Sequence, residues 1–293
     1  MPDQLLDCAV SALGPVEVVQ DCSWSHDMSA VLRLRDTSGT DWFLKHHRER
    51  DRYLAELAAY RAWVPALREA APRLRAFCGQ HEVIIVSALS GEPAPWPASG
   101  PAATTSGRTA ELHLQWQAGA QLRRLHDAQP ARLSPGFAAL KLREFERLRP
   151  AAARLLRPSE LDAARARVSA LAQVPAPALV PCHHDYTPRN WLVGHDGAVR
   201  VIDFEWSALN AWVADLARLH LGAWVGRPDL KAAFLSGYGR DLTPGDQATL
   251  HACAVLTGVW LVVKADETRR PSFTETNVAA LRRILRGPPP ARG

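Results

Sequence analysis

Lysine is nearly absent from this chain. Its 293 residues carry 35 basic side chains, of which only Lys45, Lys141, Lys231 and Lys264 are lysines; the other 31 are arginine, so each lysine invites a reason of its own. Paired-cysteine spacing is missing as well. Cys8, Cys22, Cys78, Cys182 and Cys253 are odd in number, scattered and without a CxxC, which disfavours a disulfide framework and a zinc site and reads as free thiols. No apolar run approaches the roughly 20 residues of a membrane span. The longest, Ala252 to Val263, stops at Lys264, and Met1-Pro2-Asp3-Gln4 has neither a basic start nor an apolar stretch, so a cytoplasmic protein with no membrane partner is expected. Basic residues massed with aromatics are lacking too. The net charge of +5 is spread along amphipathic segments such as Leu140 to Leu156, which argues against nucleic acid as a partner.

What is present is a globular composition, 47% hydrophobic, at a length that suits about two domains. The first ninety residues read mostly as strand. Val31 to Arg35 alternates, Asp36-Thr37-Ser38-Gly39 supplies turn chemistry, and Asp41 to Lys45 returns, together a hairpin. A helix follows from Arg52 to Leu67, with Tyr53, Glu56, Tyr60 and Trp63 at helical spacing, and then an extended run from Glu82 to Ser87. Gly91 to Pro97, continuing through Ser106-Gly107, is rich in proline, glycine and small residues and reads as a connection. Beyond it, Leu112, Trp116, Gly119, Leu122 and His126 share a helical face, and helices are expected over Leu140 to Leu156, Glu160 to Leu171 and from Ala214 onward. The expected organisation is α+β, with an N-terminal domain over residues 1–90 and a mainly helical one over 91–293.

One β segment interrupts the helical half, and the chemistry gathers around it. Trp191-Leu192-Val193 and Ala198 to Ile202 flank the turn Gly194-His195-Asp196-Gly197. Asn190 enters the first strand and Asp203 leaves the second, so an antiparallel hairpin places both at one end. Asp185 precedes Asn190 by five residues, in His183-His184-Asp185-Tyr186-Thr187-Pro188-Arg189-Asn190. Two carboxylates and an amide oxygen in this pattern suit Mg²⁺ bound beside phosphates, with Asp185 available to an acceptor hydroxyl. Each of the three alone would read as an ordinary turn former.

The HxDxxxxN pattern followed by Ile202-Asp203-Phe204-Glu205 resembles the aminoglycoside phosphotransferase and choline kinase family, over nearly the whole chain. The resemblance implies a bilobal, protein-kinase-like fold with a β-rich N-terminal lobe and a mainly helical C-terminal lobe. It implies Asp185 as the catalytic aspartate, Asn190 and Asp203 as Mg²⁺ ligands and His183 as a loop-holding residue, with His184 departing from a common glycine. Leu122-Arg123-Arg124-Leu125-His126 resembles the family's LxxLH helix, and Asp215-Leu216-Ala217 its DLA element, both as structural features.

A phosphoryl-donor site also needs a cation on a strand and a carboxylate to position it. Lys45 and Glu56 fit, with Glu49 as the alternative partner. Val83 to Leu89 resembles a hinge strand that serves adenine through backbone groups near Ser87 and Leu89. The phosphate loop has no glycine; Ser23, Ser25 and Ser29 are the candidate phosphate donors there. His46, His47 and His195 read as surface groups, and Trp206, Trp212, Trp224 and Trp260 as core, with the lining of an acceptor pocket as the alternative. From Glu205 to the C-terminus eleven bases stand against eight acids, a balance that favours a neutral acceptor over a polycation. The expected activity is transfer of the γ-phosphate of ATP or GTP to a hydroxyl of an antibiotic-like natural product, a glycoside or nucleoside rather than an aminoglycoside, by a monomer or homodimer. A metabolite kinase for a choline-, homoserine- or sugar-like alcohol and a non-catalytic nucleotide-binding module are the alternatives.

Overall fold

Residues 29–36 and 41–47 pair as the two longest strands among the described residues, and the pleat along them sets which side chains face which layer. The computed structural model describes residues 2–23, 29–97 and 104–287. The chain begins with α1 (Pro2–Leu13), β1 (Val16–Asp21), β2 (Ser29–Asp36), β3 (Asp41–His47), α2 (Arg50–Ala62), β4 (Leu74–Cys78), β5 (Val83–Ser87) and β6 (Glu92–Pro93). It continues with α3 (Thr105–His126), β7 (Arg132–Leu133), α4 (Phe137–Ala152), α5 (Pro158–Ser169), β8 (Ala178–Cys182), β9 (Trp191–Val193), β10 (Val199–Val201) and β11 (Ala208–Ala211). The last helices are α6 (Ala217–Leu221), α7 (Pro228–Tyr238), α8 (Pro244–Glu267) and α9 (Pro271–Arg286).

Two compact units divide the chain: Met1–Pro95 with Pro188–Ala208, and Trp96–Thr187 with Leu209–Gly293. Residues 188–208, with the hairpin of β9 and β10, fall in the same unit as residues 1–95, where β10-β9-β6 form a three-stranded sheet of their own. The reason is pairing: β6 joins β9 antiparallel, Glu92 opposite Val193 and Pro93 opposite Leu192, and Ala94 N–H donates to the Trp191 carbonyl at 2.7 Å. Part of the proline-rich connection is thus strand. Gly91, at φ 131°, lies against the Val193 backbone, where a Cβ would overlap it.

In the first unit five antiparallel strands run in the order β1-β2-β3-β5-β4. Leu34, Leu44, Val83 and Ile85 face one way and form a core with Leu5 and Ala9 of α1, a helix that the strand-rich reading of this region did not include. Lys45, the next residue along β3, faces the opposite layer, where α2 buries Tyr53, Glu56, Leu57 and Tyr60.

The second unit is helical around α8, whose Ala252 to Leu256 and Leu261 to Val263 are buried. Among the described residues α8 alone is long and apolar enough to cross a membrane, and its burial makes it the core helix of this unit. Trp212 and Trp224 are core, as expected; Trp116 is 46% exposed, because α3 turns Gln115, Gly119 and Leu122 inward instead. Gly119 and Gly237 let α3 and α7 cross closely: a Cβ would overlap the Phe234 carbonyl at the first and the Trp116 carbonyl at the second.

Candidate active site

Near the end of β3, Lys45 points at α2 and at the segment just after β10, and three carboxylates meet it there. Lys45 Nζ lies 3.1 Å from Glu56 Oε2, 2.5 Å from Asp203 Oδ1 and 2.9 Å from Glu205 Oε2. Glu56 also accepts from Phe204 N–H at 3.2 Å through its other oxygen, so it fixes both the ammonium and the backbone after Asp203. Burial is the largest influence on Lys45 and opposes its charge, yet the charges of Asp203, Glu56 and Glu205 outweigh it and hold its pKa well above the usual value. Burial likewise pushes Glu56 up, but Lys45 and His47 bring it below the ordinary carboxylate range. Glu205 goes the other way: burial and the neighbouring Asp203 charge raise it against the pull of Lys45. Asp203 sits at φ 69°, a left-handed conformation that costs a non-glycine residue of order 1 kcal/mol and is held here by its surroundings.

His47 is a correction to the surface reading. Two residues beyond Lys45, it shares the lysine's face of β3 and is buried, with Nε2 2.9 Å from Glu56 Oε2 and Nδ1 3.8 Å from Glu205 Oε2. The 2.9 Å approach is off the line of the ring N–H, which makes it an electrostatic contact rather than an aligned hydrogen bond. Glu205 and His47 are the site residues that sequence reasoning left without a role. The period-two spacing from Lys45 to His47, and from Asp203 to Glu205, was the signal for both.

Asn190 and Asp203 do lie at one end of the hairpin: Trp191 pairs with Val201, and Ile202 N–H donates to the Asn190 carbonyl at 3.1 Å. Glu49, the alternative partner of Lys45, precedes α2 and is placed 3.4 Å from Arg52 instead. Ser23 closes its own turn, its Oγ accepting from Val31 N–H at 2.9 Å and its N–H donating to Asp21 at 2.8 Å. Ser29 is buried within β2, opposite His47, and Ser25 lies outside the described residues. Ser87 N–H donates to the Arg73 carbonyl at 3.0 Å and its Oγ accepts from Arg73 N–H at 2.9 Å. Leu89, two residues on and past the end of β5, forms no backbone hydrogen bond with the described residues.

The loop bearing Asp185 is built within the second unit. Asp215 accepts from His183 N–H at 2.8 Å and His184 N–H at 2.5 Å, and its carboxylate lies 3.0 Å from His126 Nε2, whose Nδ1 is 2.9 Å from Tyr238 OH. Burial raises Asp215, but the hydrogen bond from His126 and the histidine charges prevail and lower it. The LxxLH and DLA elements thus meet to brace the loop. His184 stands at φ 64°, which explains why glycine suits this position. Tyr186 OH donates to the Ala118 carbonyl at 2.7 Å, Asp185 N–H donates to His183 Nδ1 at 3.2 Å, and the buried Asp185 carboxylate pairs with Arg218.

A family model described as the phosphotransferase enzyme family (APH) matches residues 24–253. The chain belongs to this family. It is accordingly a phosphotransferase, which moves phosphate from a nucleotide to the hydroxyl of a small molecule, on the protein-kinase-like fold described above. The fold recurs in the aminoglycoside phosphotransferase APH(4)-Ia, with a TM-score of 0.71 at 12% identity over 98% of this chain and 99% of that one. A choline/ethanolamine kinase family protein from Mesorhizobium loti gives 0.67 at 17% identity over 98% and 95%. The macrolide 2'-phosphotransferase MphH from Brachybacterium faecium gives 0.62 at 20% over 95% and 97%. No curated protein matches the chain by sequence.

Proposed function

We propose that this phosphotransferase transfers the γ-phosphate of ATP or GTP to a hydroxyl of an antibiotic-like glycoside or nucleoside, acting in the cytoplasm as a monomer or homodimer and conferring resistance. The observation that carries the donor half of this reading is the part-buried cluster at Lys45. Three carboxylates surround one ammonium, leaving an excess of negative charge that suits a divalent cation. Asn190 and Asp203 are the residues that would hold Mg²⁺, which when bound neutralises the charge of the donor phosphates. Lys45, held by Glu56, positions those phosphates, and the segment at Leu89 serves the base. Asp185 orients the acceptor hydroxyl and takes its proton as the oxygen attacks phosphorus and the nucleoside diphosphate leaves.

The acceptor is argued from charge. The region after Asp203 carries more bases than acids, which disfavours a polycationic aminoglycoside. A second reading, a metabolite kinase, draws on the fold shared with the choline/ethanolamine kinase family protein. The deciding experiment is an acceptor panel read by mass gain, with ATP and GTP in parallel. Phosphate gained by a glycoside or nucleoside antibiotic supports the first reading, and gain confined to choline, homoserine or a sugar alcohol supports the second. A rise in Tm with Mg²⁺ and nucleotide but no phosphorylated acceptor would reduce the protein to a nucleotide-binding module.

A further inference from the structure

The apolar seat of α1 on the sheet is small, with Leu5 and Ala9 as its fully buried contributions. At its edge, the thiol of Cys8 on α1 comes within 4.8 Å of that of Cys78, the last residue of β4. His81, in the turn between β4 and β5, joins them: two sulfurs and a ring nitrogen all lie within 4.8 Å of one another, each residue half-buried. We infer that Cys8, Cys78 and His81 form a binding site for a thiophilic divalent cation of the zinc class, which pins α1 to the N-terminal sheet.

Geometry supports this first. A tetrahedral zinc with bonds near 2.3 Å to sulfur and 2.0–2.1 Å to nitrogen has ligand edges of about 3.6–3.8 Å, reachable from a 4.8 Å envelope by small side-chain rotations. Chemistry supports it next. Two thiolates and an imidazole are soft and borderline donors that select zinc, cadmium or cobalt over magnesium, so the site does not compete for the cation expected at Asn190 and Asp203. The third ligand separates this reading from a disulfide between Cys8 and Cys78, which would give His81 no part. Burial pushes the Cys8 thiol up to about 11. Binding breaks two S–H bonds, forms two metal–sulfur bonds and releases two protons to solvent, with no change of oxidation state.

Two other clusters of this composition are already accounted for. His47, Glu56 and Glu205 belong to the Lys45 site, while in His126, Cys182 and Asp215 the histidine and aspartate are engaged by Tyr238 and the loop backbone.

The test is anaerobic titration of the reduced full-length chain with Co²⁺, followed through the thiolate charge-transfer absorption and by displacement with Zn²⁺. One equivalent is expected, with the charge-transfer band lost in Cys8→Ser and Cys78→Ser, affinity reduced at least about 10-fold in His81→Ala and unchanged in Cys22→Ser. Affinity should fall as much as about 100-fold per pH unit on acidification, because two protons compete, and saturating Zn²⁺ should raise Tm by about 5 °C. X-ray absorption of the zinc-loaded chain, which needs no variant to fold, should show two sulfur neighbours and at least one nitrogen. Binding that survives both cysteine substitutions, a zinc shell without sulfur, or no uptake of cobalt or zinc by the reduced chain would overturn the assignment. None of these readouts depends on phosphotransfer, so the site stands or falls separately from the function proposed above.

Discussion

Lys45 and Asp203 lie 158 residues apart in the chain and 2.5 Å apart in space, Nζ to Oδ1. The contact ties β3 to the hairpin of β9 and β10 within one compact unit, and it sets the lysine against three carboxylates. Lys45→Met should cut kcat/KM for the nucleotide by about 10²–10³-fold, and Lys45→Arg should not restore it, because the planar fork does not fit a point charge shared three ways. Removing one partner of a buried ion pair costs about 3–5 kcal/mol at neutral pH. In the methionine variant the carboxylates left behind bind protons more tightly folded than unfolded. Its stability should therefore rise toward the parent's as pH falls from 7 to 5, the reverse of an ordinary acid effect. Urea unfolding of parent and variant at both pH values checks this; a constant gap would mean the carboxylates do not act as one charge cluster.

His47 touches Glu56 from the side opposite the backbone it holds, so its loss should loosen the carboxylate without removing it. His47→Gln should raise the nucleotide KM by about 3–10-fold with little change in kcat, and His47→Phe should do the same while lowering stability by about 1–3 kcal/mol, the cost of a buried carboxylate losing a polar neighbour. Steady-state kinetics beside a melting curve separate the two effects.

The particular residues show how much was legible beforehand. Lys45 and Glu56 were readable because strand alternation and helical spacing each constrain which side chains face inward, and Asn190 and Asp203 because a hairpin returns to where it starts. His47 and Glu205 obey the same parity, but a histidine among arginines and an acid next to a tryptophan look like surface until burial is known. The pairing of Ser87 N–H and Oγ with the Arg73 backbone is a tertiary event that no local pattern announces. Leu5, Leu6, Ala9 and Leu13 carry a helical period that a strand-rich neighbourhood masks, and Cys8 meets Cys78 only through the tertiary fold.

Asp185 is buried and paired with Arg218, so two substitutions should separate its charge from its orientation. Asp185→Asn should lower kcat by about 10²–10⁴-fold with the nucleotide KM nearly unchanged, since proton acceptance is lost and donor binding is not. Arg218→Ala leaves the carboxylate but removes one restraint on its orientation, and should lower kcat by about 10-fold. If the asparagine variant keeps full activity in a coupled assay, the proposed role of Asp185 is wrong.

Gly119 and Gly237 test the packing that supports the second unit. Their Cβ atoms would meet backbone carbonyls rather than movable side chains, so Gly237→Ala should force α3 and α7 apart. Overpacking of this kind costs about 1–3 kcal/mol, a fall in Tm of roughly 2–5 °C for a chain of this size. Gly245→Ala, whose Cβ would make ordinary contact with Val174, should change Tm little and serves as the control.

His220 predicts how the second unit responds to acid. Burial first, and the nearby positive charges of Lys231, His251 and Arg283 after it, push its pKa from 6.5 down to about 4. Between those values the unfolded chain holds a proton that the folded chain does not, so stability is complete above pH 6.5 and drains away as pH falls toward 4. At about 1.4 kcal/mol per pKa unit, and allowing for partial exposure, the loss attributable to this residue is about 2 kcal/mol. His251, also lowered by burial and by Arg167, adds in the same direction. Tm should fall between pH 7 and pH 5, and His220→Gln should flatten that fall without abolishing it, because the glutamine carries no proton to lose while His251 still titrates. An unaltered slope in the variant would show that His220 keeps its ordinary pKa in the folded protein.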